Sequence, residues 1–553
     1  MPKLSDHDLK QMDAAWLQAQ PDAVVRSVCE RVLDELRIAR DRLNQTPNNS
    51  SRPPGSMPPW QRADAGVHEA PSEGGLAEAN ANPQAEVSPP IEQATKPTQK
   101  SLVGPPGQAG RRKGSPGHGR MQKLMYTQRE EHHPDRCAAC QSALTPEASS
   151  QAWTGWDTLE LVDLQGTASA PPQRLGLRIE VTRHLLMQQR CRCGHLTQAL
   201  PKRAEEDAQW LGVDICEQRL LGPRLSAIIV YLCLRMALTR RKTKELMWEL
   251  FGLSLSTALI DQTIHQSARS IEPLEAQLAQ ELEHAALVHV DETSWPESGV
   301  LLWLWVLCTP HTALYVIGSR AKEMLTNALS LAFAGVLMSD GYGAYRDRLN
   351  RLRCWAHLKR KLCGVAESTD RTAALAGAAL LETFKELMDT VYMAREQMQK
   401  WQAQRPADLT LPRPEPPSIT HAHLIEKMRQ LCEQHRNAGY PALRAVAREF
   451  LNDWDAIMRV LAQPHMPLTN NAAERQLRHW VIARRISYGT RTLVGSNSLA
   501  ILASVIDTCR LRRASVTNTL AQAIHAARQG LSAPALPPIP AELLGQQLTL
   551  VGA

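Results

Sequence analysis

Long apolar runs are absent. Nowhere in the 553 residues do roughly eighteen apolar residues follow one another, so no stretch reads as a bilayer-crossing helix. The first residues carry no basic-then-apolar leader either, and the chain is expected to be soluble and intracellular, with no membrane partner. A dominant charge of one sign is also missing. The formal net charge is +7, so where the basic residues lie matters more than how many there are. A disulfide framework is lacking, because only four of the 12 cysteines fall in close pairs and the rest are scattered. No persuasive pairing of a Ser or Cys nucleophile with a base stands out, so a covalent protein intermediate is not expected. What is present is 43% hydrophobic content, enough for a sizeable core, in a chain long enough for several domains.

The most informative stretch is 285–340. Four apolar, β-rich runs (287–290, 301–307, 313–317 and 335–338) are separated by turns that carry Pro296, Gly299 and Pro310. Between the last two runs, Met324, Leu325, Ala328, Leu329 and Ala332 recur at helical spacings within 321–333. The order strand, strand, strand, helix, strand fits the front half of an RNase H-like sheet. Asp291 closes the first strand and Asp340 the fourth. Neighbouring strands of such a sheet bring both carboxylates to one rim, where hard oxygen ligands can hold Mg²⁺. An aspartate at a strand end is also a common turn former or cap. A third carboxylate should lie on a later helix, and Glu474 supplies it. Asn471-Ala472-Ala473-Glu474 equally fits a helix-start capping box, in which that carboxylate would only bond backbone.

Four words, HVDET from His289, GVLMSDGYGAYR from Gly335, RCWAHLKR from Arg353 and PLTNNAAERQLR from Pro467, resemble in order the DDE transposases of the IS66 insertion-sequence family. The resemblance runs from about residue 28 to 516. It implies that Asp291, Asp340 and Glu474 are three catalytic acids sharing two Mg²⁺ ions, or Mn²⁺ in their place. One ion would activate the nucleophile and the other stabilise the departing oxyanion. Water would first free a 3′-hydroxyl at an element end, and that hydroxyl would then attack target double-stranded DNA. The resemblance further implies a homo-oligomer in the bacterial cytoplasm at the nucleoid, working with two small accessory proteins of the same element.

The rest of the chain divides by composition into a multidomain α+β protein. Residues 1–46 are read as helical: Val25, Val28, Val32, Leu36, Ala39 and Leu43 form a near-heptad seam, suited to a short coiled coil or to docking on the protein itself. Residues 47–130 are rich in Pro, Gly and Ser and are expected to be disordered. Between Lys96 and Arg129 that linker holds eight Lys/Arg, among them Arg111, Arg112 and Lys113, and no acid, so it is either a basic arm for the phosphate backbone or a plain spacer.

Residues 131–205 are read as a zinc-finger-like DNA-binding module. Cys137, Cys140, Cys191 and Cys193 are spaced to close a structural Zn²⁺ site. The second pair has only one residue between its cysteines, so His184 and His195 stand as substitutes, with His132 or His133 behind them. Residues 206–284 are expected to be helical, with a candidate helix-turn-helix that would present Thr257, Asp261, Gln262 or His265. The RNase H-like catalytic domain is placed at 285–515, with a helical insertion at about 370–462, and a C-terminal helix and poorly ordered tail follow at 516–553.

Within the catalytic domain, the fifth strand is expected at 351–355. Trp355 is then placed to stack on a base and His357 to orient a phosphate, unless both are simply core residues. On the Glu474 helix, Arg478 and Arg485 share the glutamate's face, with Arg475 and Arg484 flanking it. Eight arginines against one acid between Arg475 and Arg513 favour DNA contact over a solvated face. The expected activity is DNA strand cleavage and transfer. Its rivals are an RNase H-like nuclease that cuts without joining and a DNA-binding regulator derived from an inactive transposase.

Overall fold

The computed structural model describes residues 12, 14–45, 49, 124–146, 150–163, 177–200, 219–405 and 410–543. The expected disordered linker, with Arg111, Arg112 and Lys113, lies outside them apart from Asn49 and 124–130, as do residues 544–553. In chain order the elements begin with helices α1 (Ala14–Ala19) and α2 (Asp22–Leu43). Strands β1 (Gln128–His132), β2 (Gln151–Asp163), β3 (Leu177–Arg190), β4 (Leu196–Gln198) and β5 (Arg219–Leu221) follow. Four helices come next: α3 (Pro223–Leu234), α4 (Arg240–Phe251), α5 (Thr257–Ile271) and α6 (Leu274–Glu283). A second group comprises β6 (Leu287–Glu297), β7 (Val300–Cys308), β8 (Ala313–Gly318), α7 (Lys322–Ala328), β9 (Val336–Ser339) and β10 (Arg351–Arg353). The remainder is helical: α8 (Trp355–Ala366), α9 (Arg371–Gln404), α10 (Pro417–Thr420), α11 (Ala422–His435), α12 (Pro441–Asn452), α13 (Trp454–Ala462), α14 (Asn471–Ser487), α15 (Leu493–Leu511) and α16 (Val516–Arg528).

Two mixed sheets organise the chain. The first has the order β1-β3-β2-β5, with β4 also pairing β3, and the second the order β10-β9-β6-β7-β8. In the second, β6, β7 and β8 are antiparallel neighbours, whereas β9 and β10 run parallel to β6. Ser298 and Gly299, both at positive φ, make the two-residue turn between β6 and β7, a geometry whose twist matches that of the strands. Successive residues of a strand face opposite sides. On β9, Leu337 accordingly enters one core while Val336 and Met338 enter another. The first core is shared by the central sheet, the helices α3, α5, α15 and α16, and Leu159, Leu161 and Val181 of the first sheet. The second lies between β9, β10 and the helices α8, α9, α11, α12 and α13. The helices between 223 and 283 thus pack into the same core as the central sheet.

Several boundaries differ from those read in the sequence. β6 continues through Asp291 to Glu297, because its polar second half still pairs residue by residue with β7. The helix expected at 321–333 ends at Ala328. Leu220, expected in a helix, lies in β5, whose pairing with β2 ties it to the first sheet. The fifth strand stops at Arg353, and Trp355 begins α8. The tail expected to be poorly ordered is docked through residue 543: Leu536 is buried, and Arg512 Nη1 donates to the Pro537 carbonyl at 2.6 Å. Asp41 of α2 accepts a hydrogen bond from Ser368 Oγ at 2.7 Å, so the end of that helix rests on this same chain.

Gly489 requires its glycine. Its φ is +85°, and a Cβ there would lie 1.9 Å from the Pro296 carbonyl oxygen. That close approach lets Thr490 N–H donate to Pro296 O at 3.0 Å and Ser298 N–H donate to Thr490 O at 2.9 Å. The tip of the β6–β7 hairpin is thereby fastened to the loop after α14.

Candidate active site and metal centre

The strand register brings the two aspartates together. β6 pairs β9 through His289 opposite Met338, and carrying that register two residues further sets Asp291 opposite Asp340. Asp340 is the first residue after β9. Its Oδ1 accepts the Tyr342 N–H at 2.8 Å, and Asp291 Oδ1 accepts the Glu292 N–H at 2.9 Å. Glu474 arrives from far along the chain, in the first turn of α14, which packs across β6 and β7.

Asn470, one residue before α14, sets where that helix begins. It is 1% exposed. Its Nδ2 donates to the Val290 carbonyl at 2.7 Å and its Oδ1 lies 3.0 Å from His289 Nδ1. Its own N–H donates to Cys354 Sγ at 3.3 Å, and Trp355 N–H donates to Leu468 O at 2.8 Å. One short word thus joins β6, the start of α8 and the start of α14. Neither Asn470 nor His289 was singled out from the sequence, although the paired Asn470-Asn471 before a helix was a visible signal.

The capping-box reading of Glu474 does not hold. α14 starts at Asn471 and Asn470 occupies the cap position without a side-chain cap bond, so Glu474 lies one residue too deep to reach back. The Glu474 side chain is 37% exposed, yet its Oε1 is buried without a hydrogen-bond partner. Burial pushes the Asp291 carboxyl well above the usual carboxylate range, and Asp340, Glu292 and Glu474 push it the same way. Asp340 and Glu474, from two other chain segments, thus lie near enough to raise the Asp291 carboxyl, although the ligand atoms of the three do not all fall within 4.8 Å of one another. Hard-cation chemistry fits this donor set: acid oxygens, one of them orphaned, with their mutual charge uncompensated.

Glu292 extends the site and was not assigned from the sequence, though it is the middle of the Asp-Glu-Thr word. It accepts Arg320 Nη2 at 2.8 Å and a hydrogen bond from the Tyr345 hydroxyl. The Arg320 guanidinium lies 4.1 Å over the rings of both Trp303 and Tyr342.

His357 Nδ1 lies 3.8 Å from Glu474 Oε1, and Cys354 completes a group of possible ligand atoms there. Burial, reinforced by Arg360, Lys361 and Arg353, lowers the imidazole pKa to about 4. Trp355 is different. It is 1% exposed, packs on Phe384, and gives its Nε1–H to Ile457 O at 2.9 Å, so it is a core residue and no face is open to a base.

The arginines of α14 and α15 divide by role. Arg475, Arg478 and Arg485 of α14, and Arg491 in the loop that follows it, are exposed. Arg484 turns inward to Thr293 Oγ1 at 3.1 Å and Ser294 Oγ at 2.8 Å, fixing α14 to β6. Arg510 pairs with Asp507, Arg512 with Glu281 and Arg513 with Glu542. Of the residues of the helix-turn-helix reading, Asp261 pairs with Arg240 at 3.1 Å and His265 Nδ1 lies 2.8 Å from Ser498 Oγ, whereas Thr257 and Gln262 are exposed.

A second centre lies beyond the ends of β1 and β3. The sulfurs of Cys137, Cys140, Cys191 and Cys193 all lie within 4.8 Å of one another, so the short second pair does converge with the first. Cys137 Sγ is 3.6 Å from Cys193 Sγ, and Cys140 Sγ is 3.6 Å from Cys191 Sγ. The Cys140 amide, followed by that of Ala139, pulls the Cys137 thiol down to about 6. Although the His195 amide works in the other direction, crowding by Cys140 and Cys137 pushes Cys193 up to about 12. His184 and His195 are not members of this cluster.

Among the described residues no helix is long and apolar enough to cross a membrane. Residues 218–498, about half the chain, match the Transposase IS66 family. Similar proteins include two uncharacterised proteins of Sinorhizobium fredii. One, y4qI, is 23% identical over 313 residues, which cover 50% of this chain and 54% of y4qI. The other, y4hP, is 21% identical over 321 residues, covering 53% and 56%. The chain thus spans about half the length of these curated relatives.

Proposed function

The chain belongs to the IS66 transposase family, and from that premise we propose that it cuts phosphodiester bonds at the ends of a mobile DNA element and joins the freed 3′-hydroxyl to target DNA. The observation that carries this reading is the Asp291 carboxyl, held protonation-prone by burial and by Asp340 and Glu474 from two other chain segments. The sheet order β10-β9-β6-β7-β8, antiparallel on one side of β6 and parallel on the other, supports an RNase H-like assignment for the domain that carries them. Asp291, Asp340 and Glu474 would hold Mg²⁺. Bound there, a pair of divalent ions supplies Lewis-acid stabilisation of the phosphate and a more acidic attacking water or hydroxyl.

The chain's own residues do the rest. Asn470 and Arg484 fix α14 on β6, which sets the reach of Glu474 to the rim. His357, whose pKa is lowered to about 4 and which is therefore neutral at ordinary pH, faces Glu474 at 3.8 Å and can offer a hydrogen bond to a phosphate oxygen. The exposed Arg475, Arg478 and Arg485 present forks that match phosphate geometry, so the DNA backbone would lie along α14. Cys137, Cys140, Cys191 and Cys193 fit a structural Zn²⁺ that would hold the ends of β1 and β3.

The test is incubation of purified protein with Mg²⁺ and DNA carrying the element's ends. Nicked ends and joined products support the proposal. Nicks that are never joined favour a nuclease, and binding without nicks favours a regulator.

A further inference from the structure

A cluster on the first sheet is used by none of this. β3 lies between β1 and β2, and its His184 is register partner to Glu130 on one side and Trp156 on the other. His132 follows Glu130 by two residues and so shares its face of β1. The row converges: His132 Nε2 lies 3.1 Å from His184 Nδ1, and His184 Nδ1 lies 3.1 Å from Glu130 Oε2. Trp156 stacks on His184 with ring centroids 4.8 Å apart and planes 13° from parallel, which fixes the imidazole.

We propose that Glu130, His132 and His184 form a second metal site, for a divalent transition ion of the zinc class, separate from the four-cysteine centre. A tetrahedral ion with ligands at its usual 2.0–2.1 Å sets neighbouring ligand atoms about 3.3 Å apart, close to both separations here. Two imidazole nitrogens and one carboxylate oxygen are the donors that class of ion takes, and they leave at least one position to solvent. The position is open because β1 is an edge strand and the Glu130 side chain is 55% exposed, while His184 is held at 15%. The site is not an extension of the cysteine cluster. Six residues of β3 lie between His184 and Cys191, so the two are roughly 23 Å of extended chain apart, and the donors are nitrogen and oxygen instead of sulfur. The alternative is a plain hydrogen-bonded trio, in which His184 Nδ1–H is shared between two acceptors.

The full-length protein, saturated with Zn²⁺ in excess Mg²⁺ so that the carboxylates of Asp291, Asp340 and Glu474 keep Mg²⁺, and then freed of loosely held metal, should carry two Zn²⁺ per chain. His184→Phe keeps the stack on Trp156 but removes the nitrogens, and should carry one; the Cys137→Ser/Cys140→Ser double variant should lose the other. One ion per chain in the wild type, or a second that survives His184→Phe, overturns the site. Cobalt gives a check that depends on no variant. Of two Co²⁺ equivalents bound by the wild type, one should show sulfur-to-metal charge transfer and the other only weak d–d bands. Sulfur charge transfer from both, or no second equivalent, also overturns it.

Discussion

Glu474 Oε1 and His357 Nδ1 lie 3.8 Å apart, and neither atom has a hydrogen-bond partner among the described residues. That distance is too long for a direct hydrogen bond and leaves room for a ligand contacting both. Two buried polar atoms left facing each other cost stability, a cost accepted at functional sites.

The first prediction follows from the state of His357. Its pKa is lowered to about 4, so it is neutral in the folded protein throughout the neutral range. A lowered histidine pKa removes stability only as pH falls from the unfolded value near 6.5 towards 4. The cleavage profile of His357→Gln should therefore match the wild-type shape between about pH 6 and 8, at lower amplitude. A wild-type break near 6.5 that disappears in the variant would show that His357 titrates during turnover.

Asn470→Ala removes the bonds to Val290 O and to His289, leaving buried polar groups unpaired. It should cost about 1–3 kcal/mol, read as a lower melting temperature. Asn471→Ala changes an exposed side chain and should stay within about 0.5 kcal/mol. Equal losses would restore the capping box in which Asn471 is the cap.

Much of this was legible. The apolar runs gave the strands of the central sheet, and their order placed Asp291 and Asp340 on one rim. The link from Asn470 to β6 was not legible, because a polar bond between residues 181 apart leaves no local periodicity. The strand beyond Asp291 was hidden because Glu292, Thr293 and Ser294 read as a strand end, while their partners on β7 decide the matter. The capping box failed by one residue of helix start, finer than sequence signals resolve. The inward turn of Arg484 was equally hidden, since helical spacing puts it beside the exposed arginines.

That division of arginines is itself testable. Arg478→Ala should weaken binding to DNA of any sequence and reduce the slope of log affinity against log salt by about one phosphate contact. Arg484→Ala should instead lower thermal stability, because it unfastens α14 from Thr293 and Ser294. A salt slope lost in Arg484→Ala and kept in Arg478→Ala would reverse the assignment.

For the cysteine centre, Cys137→Ser/Cys140→Ser should abolish one bound Zn²⁺ and lower the melting temperature, since metal binding there is folding energy. Full retention of zinc, read by elemental analysis, would remove the cluster from the account.

The most direct measurement compares wild type with Glu474→Gln in Mg²⁺ on DNA carrying the element's ends, with DNA binding as the control for folding. Glutamine keeps the length and loses the charge. The account predicts that strand cleavage falls at least about a hundredfold, roughly 2.7 kcal/mol of barrier, while binding is nearly unchanged. Near-normal cleavage by Glu474→Gln would contradict it and leave Asp291 and Asp340 without their third acid.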